Sequence, residues 1–270
     1  SPMPELAEVE FFRKQWDPGI GHVFDRVSVH PKARIFRETP APTFKKQLAG
    51  ETLEASHTHG KKWMFQFSNG KWLAGHLGMT GKLFTASSDY KPEKHDHLVL
   101  HGKATTLVFC DPRMFGKVTL DFEESGGFPK WWVDLPPSPL DSRFTKTLVF
   151  DFMARHPKSP IKTLLLDQRV FPGIGNWMAD EICWRLPIDP ATRTGELSES
   201  ERVAIWKLTR QLSKQAMGVI GDEWKKPPNS WLFNHRWKDG GNCPRKDCGS
   251  DLTRADLRGR TTCWCPNCQV

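Results

Sequence analysis

The cysteines near the C-terminal end constrain this chain more than any other feature. Cys243-x4-Cys248 and Cys265-x2-Cys268 are two close pairs with sixteen residues between them. Each pair can present two thiolates to one tetrahedral zinc ion, and a short hairpin brings the pairs together. Gly249, and Gly259 between Arg258 and Arg260, suit the tight turns of such a hairpin. Two disulfides would instead need an oxidising compartment, and no secretory signal is visible. Cys263-x4-Cys268 mirrors Cys243-x4-Cys248, so Cys263 competes with Cys265 for the metal. The two-residue knuckle favours Cys265, which gives Cys243, Cys248, Cys265 and Cys268 as ligands of one structural zinc per chain. A zinc hairpin holding several arginines is most often a nucleic-acid-binding element.

Composition agrees with that direction. Lys and Arg total 39 against 31 Asp and Glu, a net charge of +8, which suits a phosphate-rich partner. No apolar run approaches membrane-spanning length, so no membrane partner is expected. Seven cysteines, an odd number, point to a reducing, intracellular setting. Cys110 and Cys183 read as small buried apolar residues.

Hydrophobic period changes along the chain. Residues 5–16 read as a helix, with Leu6, Val9 and Phe12 on one face and Asp17-Pro18-Gly19 as its stop. From about 22 to 122 come short β-branched and aromatic runs. Trp63–Phe67 and Lys71–Ala74 flank Asn69-Gly70 as a hairpin, and 98–100, 106–109 and 118–120 are further strands. Leu135-Pro136-Pro137-Ser138-Pro139-Leu140 cannot continue a helix or a central strand and marks a linker. Beyond it helices are predicted at 144–155, 160–168, 176–186 and 198–217, the last opening on the capping box Ser198-x-x-Glu201. The expected class is α+β: a β-sandwich with an N-terminal helix over 1–134, a linker at 135–143, a helical domain over 144–230 and the zinc hairpin over 231–270.

Four motifs carry chemistry, each with a plainer alternative. Gly173-Ile174-Gly175-Asn176 at a helix start could bring exposed amides to a phosphate, or merely pack two helices. His76-Leu77-Gly78-Met79-Thr80-Gly81 either projects Met79 or buries it. Asp111-Pro112-Arg113-Met114-Phe115-Gly116 either inserts side chains into a base stack or turns around a buried Phe115. Glu93-Lys94-His95-Asp96-His97 has two histidines on one strand face and no third ligand for a metal.

In their joint order these pieces resemble the formamidopyrimidine-DNA glycosylase and endonuclease VIII superfamily. The likeness runs from Met3 to Gln269. It takes in Met3-Pro4-Glu5-Leu6-Ala7-Glu8-Val9-Glu10, Lys62, the H-L-G-M turn, E-K-H-D-H, D-P-R-x-F-G, Ile161-Lys162, D-Q-x(5)-G-I-G-N and the cysteine hairpin. H-L-G-M and D-P-R-x-F-G favour the formamidopyrimidine branch.

The resemblance implies a base-excision repair enzyme, with a helix–two-turn–helix motif in the helical domain. Its partner is double-stranded DNA containing oxidised bases or abasic sites, met as a monomer in the cytoplasm or nucleoid. Pro4 is implied as an imine-forming nucleophile, Glu5 as general acid/base, Glu8 as a supporting acid and Lys62 as a further catalytic-site residue. Lys62, Asn176 and Arg260 are implied to hold the DNA backbone and Lys162 to bind DNA; Met79, Arg113 and Phe115 fill the gap left by an extruded nucleotide. A damage-binding protein without catalysis is the alternative on the same surface.

The chain also departs from the family pattern. Ser1-Pro2-Met3 precede Pro4, and a chain that keeps them is expected to be inactive, since an internal proline has no free amine. Met114 stands where a second arginine is usual, Ala7 where a proline is usual, and the first cysteine pair is spaced by four residues rather than two. The stretch between Met217 and Cys243 is short for a loop covering extruded 8-oxoguanine.

Overall fold

The structure is a computed structural model that describes residues 3–270. Ser1 and Pro2, on which the blocking of Pro4 turns, lie outside the described residues. Contacts divide the chain into two compact units: residues up to Pro4 with Glu8–Leu135, and Glu5–Ala7 with Pro136–Val270. The division at Leu135 and Pro136 falls inside the proline run. The zinc-type hairpin groups with the helices of the second unit rather than standing apart.

Helix α1 (Leu6–Lys14) is shorter than the predicted 5–16. Gln15 and Trp16 turn back tightly onto the carbonyls of Phe12 and Arg13, because Pro18 cannot extend the helix. After β1 (Val23–Val29) comes α2 (Ala41–Leu48), which the sequence reading did not anticipate. It buries Ala41, Phe44 and Leu48, the i, i+3, i+7 face of two turns. Next are β2 (Glu51–His59), β3 (Lys62–Phe67), β4 (Lys71–His76) and β5 (Lys82–Ala86). β6 (Asp96–Gly102), β7 (Thr106–Cys110), β8 (Lys117–Phe122) and a short α3 (Lys130–Val133) complete the unit.

The strands form one antiparallel succession, β5-β7-β6-β1-β2-β3-β4-β8. Its middle joint is weak, since β1 meets β2 only at Val23↔Thr52 and Phe24↔Glu51. The sheet folds there into the two layers of a sandwich. Trp63 of β3 packs on Phe109 of β7 at 5.7 Å between ring centroids, and Trp16 lies on Phe65 at 4.6 Å. The Trp16 indole N–H donates to the Val108 carbonyl at 3.1 Å, so the buried ring leaves no polar atom unpaired. The β3–β4 hairpin turns on Asn69 (φ 61°) and Gly70 (φ 70°), both in the left-handed region that an Asn-Gly turn supplies.

In the second unit α4 (Lys146–Arg155), α5 (Ile161–Leu165), α6 (Asn176–Arg185) and α7 (Glu199–Ala216) surround a core that includes Phe152, Phe171, Trp177, Ile182 and Leu212. α5 ends earlier than predicted, and the Asp167 carboxylate then accepts the Arg169 amide at 3.0 Å in a side-chain turn. The capping box opening α7 has both of its bonds, Glu201 N–H to Ser198 Oγ at 3.1 Å and Ser198 N–H to Glu201 Oε1 at 2.9 Å. β9 (Thr253–Leu257) and β10 (Arg260–Trp264) form the closing hairpin. Among the described residues no helix is long and apolar enough to cross a membrane.

Candidate functional site

Glu5 is the centre of the second unit's site. Its side chain is 2 % exposed, and its carboxylate takes three amide donors at the start of α6. Gly175 N–H donates to Oε1 at 2.7 Å, Trp177 N–H to Oε2 at 2.9 Å and Met178 N–H to Oε1 at 3.2 Å. A helix N-terminus favours an anion by its unpaired amides and its dipole. Here that anion is the protein's own carboxylate. Of the two readings left open for this turn, the one with amides bare for a phosphate does not hold for Gly175, Trp177 and Met178, whose amides are taken by Glu5. Gly175 has a steric reason: a Cβ there would stand 2.5 Å from Glu5 Cγ and Cδ. Glu8 and Pro4 are buried as well.

The Asn176 side chain reaches β10, donating to the Thr261 carbonyl at 2.9 Å. Arg260, half-buried, is the preceding residue and opens that strand. Lys162 is a correction. It is 1 % exposed, with its ammonium 2.8 Å from Asp180 Oδ1, and it donates to Thr262 Oγ1 at 2.7 Å and to the Thr261 carbonyl at 3.1 Å. A group so enclosed does not offer its charge to a surface phosphate. Burial lowers its pKa, and the Asp180 carboxylate opposes that shift. Asp180 also receives Arg236 Nη2 at 2.7 Å and the Cys263 amide at 3.0 Å. The network ties α5, α6 and the Arg236 segment to the strand carrying Arg260.

Cys243, Cys248, Cys265 and Cys268 place their sulfurs within 4.8 Å of one another. Individual separations include 4.0 Å for Cys243–Cys268, 3.8 Å for Cys248–Cys265 and 3.5 Å for Cys248–Cys268. Four thiolates about 2.3 Å from a tetrahedral ion stand roughly 3.8 Å apart, so the cluster fits a metal. Cys263 is buried but stands outside the cluster, within β10, whereas Cys265 follows that strand's end. The Trp184 indole N–H donates to Cys243 Sγ at 3.3 Å.

In the first unit the two loops singled out from sequence meet. A Cβ at Gly78 would come within 2.4 Å of the Phe115 carbonyl carbon and 2.5 Å of the Gly116 nitrogen, so the backbones touch only because residue 78 is glycine. Asp111, fully buried, accepts Thr80 Oγ1 at 2.8 Å on Oδ1 and the Gly116 amide at 2.7 Å on Oδ2. The same Thr80 hydroxyl accepts the Arg113 amide at 3.1 Å. Phe115 is 39 % exposed and carries the Arg113 guanidinium 4.9 Å from its ring centre. Met114, at φ 57°, turns towards the core instead. The buried-Phe115 alternative is thus excluded, and Met79 is half-buried. Sequence reading missed Asp111 and Thr80 as the clamp, although both lie inside motifs it named.

Lys62 opens β3, and ladder register puts it opposite His76 of β4, which lies opposite Lys117 of β8. Burial lowers the Lys62 pKa, helped by the Lys117 charge and opposed by Glu38. His76 is pushed down to about 4, first by burial and then by Lys117, Lys62 and Arg37. Its Nδ1 accepts the Gly78 amide at 3.2 Å, which ties it to the H-L-G-M turn.

A sandwich, a helical unit with a carboxylate-filled helix start and a zinc-finger-type cysteine cluster define a class of DNA glycosylases. Residues 3–118 match the family model of the formamidopyrimidine-DNA glycosylase N-terminal domain, and residues 135–225 that of its H2TH domain. The chain belongs to the formamidopyrimidine-DNA glycosylase family of base excision repair. It is 32% identical over 277 residues to the Listeria monocytogenes formamidopyrimidine-DNA glycosylase, covering 99% of this chain and 100% of that protein. It is 35% identical over 282 residues to the one from Roseiflexus sp., with the same coverage. Among solved structures, the Lactococcus lactis enzyme non-covalently bound to AP-site DNA superposes with TM-score 0.84 at 28% identity, covering 98% of this chain and 99% of that one. The same enzyme with N7-benzyl-Fapy-dG DNA gives TM-score 0.85 at 28% identity, again covering 98% and 99%.

Proposed function

We propose that this protein is a bifunctional glycosylase and abasic-site lyase that removes oxidised purines, formamidopyrimidines first among them, from double-stranded DNA. Once the Pro4 nitrogen is a free secondary amine, it attacks the anomeric carbon of the lesion's sugar. The base departs with the glycosidic electron pair and a proton, the ring opens, and a cationic imine joins Pro4 to the sugar. Glu5 moves protons on the deoxyribose, and successive eliminations then cut the strand on both sides. Lys62, Asn176 and Arg260 hold phosphates around the extruded nucleotide, while Met79, Arg113 and Phe115 occupy its place in the duplex. Cys243, Cys248, Cys265 and Cys268 would hold a zinc ion, whose part is structural: it fixes the hairpin that carries Arg260.

The observation that carries this reading is the seat of Glu5, next to Pro4 in the chain and held in place by three amides. The complexes of the Lactococcus relative with AP-site and Fapy-dG DNA support the substrate class. Borohydride reduction should trap a covalent adduct between lesion DNA and protein beginning at Pro4, and none with protein beginning at Ser1. Equal trapping by both removes Pro4 from the chemistry. Tight damage binding with no trapping by either supports the binding-protein alternative.

A further inference from the structure

The first unit holds a cavity of about 350 Å³ on the outer face of β3, β4 and β8, lined by Glu38, Lys62, His76, Lys117, Thr119 and Trp131 among others. Its basic groups are a consequence of register. Lys62, His76 and Lys117 are consecutive ladder partners, so their side chains leave the same face in one row across three strands. Two cations and an imidazole share this row, and Arg37 lies close enough to act on His76. The carboxylates near them are Glu38, paired to Lys117 at 2.8 Å, and Asp121, which takes the Trp131 indole N–H at 2.9 Å. His76 stays neutral between the lysines, which spares the row a third adjacent charge.

We infer that Lys117 is a further backbone-phosphate contact, gripping a phosphate of the same strand that neighbours the one assigned to Lys62, with Glu38 keeping its place in the absence of DNA. The inference rests on the DNA-binding reading above. The backbones of Lys62 and Lys117 stand two strand spacings apart, about 9.6 Å, and the Glu38 pairing draws the Lys117 ammonium to its own anion, which leaves each stem free to take its own group of one strand. The Glu38 carboxylate marks the position an oxyanion takes on Lys117. Glu38 is the more exposed partner of that pair, with 57 % of its side chain open to solvent against 25 % for Lys117. An ion pair so open contributes little, and a phosphate displaces it readily. Thr119 adds a hydroxyl to the same cavity.

The test is the salt dependence of binding to a duplex oligonucleotide carrying an abasic-site analogue, with intact protein. Lys117→Met should lower the slope of log K against log salt by about one unit, and Lys117→Arg should keep it. Glu38→Gln should tighten binding several-fold, because the competing carboxylate is gone. Lys103→Met, which removes an exposed lysine from the β6–β7 turn, controls for net charge. A Lys117→Met slope equal to that of the parent, or a Lys103→Met slope that falls equally, overturns the assignment. Thermal melting of each variant excludes misfolding as the cause. If the parent protein itself does not bind the duplex, the functional reading fails first, and that result is distinct from binding that ignores Lys117.

Discussion

The Glu5 side chain closes over Gly175 so tightly that a Cβ at 175 would stand 2.5 Å from both Cγ and Cδ of the glutamate. Gly175→Ala should therefore disturb the acid without touching it chemically. A misplacement of about 1 Å is enough to cost roughly 100-fold in rate. Single-turnover base release should fall by about that factor, and stability by about 1–3 kcal/mol from overpacking. Wild-type release rates in Gly175→Ala would mean that the acid/base lies elsewhere.

The cysteine cluster makes a sharper forecast about metal. One zinc per chain should be found by elemental analysis, kept in Cys263→Ser and lost in Cys265→Ser, because only Cys265 shares the cluster. Metal binding is coupled to folding in such hairpins. Chelation should then weaken duplex binding by releasing the strand that begins at Arg260. Loss of zinc from Cys263→Ser alone would reverse the ligand choice.

Lys162 should behave as a structural residue. Lys162→Met leaves Asp180 buried with one partner fewer, and should cost roughly 3 kcal/mol in chemical unfolding. The salt slope of DNA binding should stay unchanged, since no phosphate is released. A stable variant with a slope lowered by one unit would put Lys162 at the surface after all.

Much of this was legible in sequence where one residue dictates one local geometry. Asn69-Gly70, the proline run at 136–139, the Ser198/Glu201 box and the cysteine knuckles each did so. What could not be read depends on partners distant in sequence. Nothing near Gly175 announces that the anion at its helix start is Glu5, 170 positions away. Nothing near Lys162 announces Asp180 or the Thr261 carbonyl. α2 is hard to read because Pro40 and Pro42 argue against a helix, whereas Pro40 only precedes it and Pro42 sits in its first turn, where no amide donor is needed. Lys117 acquires meaning only from the register of three strands.

Acid should weaken the first unit through His76. An unfolded imidazole takes a proton near its ordinary 6.5, and His76 in the fold only near 4. Between these values the unfolded chain binds more protons, so this contribution is present in full above about 6.5 and is lost as pH falls towards 4. It amounts to about 3 kcal/mol at most. His57, His97 and His101 are lowered by burial too and act in the same direction. Urea midpoints at about pH 5 and about pH 8 should differ less in His76→Gln than in the parent. An unaltered difference would assign the acid limb to the other histidines.

Thr80 offers the cleanest separation of base extrusion from chemistry. Its hydroxyl donates to the buried Asp111 carboxylate and accepts the Arg113 amide, so it holds the loop bearing Arg113 and Phe115 to the turn bearing Met79. Thr80→Val keeps the shape and removes both bonds; Thr80→Ser keeps the hydroxyl. Extruding a paired nucleotide costs a few kcal/mol of unstacking, which the filled gap must offset. A preformed abasic site has no base to extrude. Thr80→Val should therefore slow release of a paired lesion about 10-fold or more and change strand cleavage at an abasic site little, with Thr80→Ser near the parent on both. Met79→Ala and Phe115→Ala should share the pattern, and Arg113→Ala should in addition blunt preference for the opposite base. Equal losses on both substrates in all of these variants would make the two loops structural, with no part in holding the duplex open.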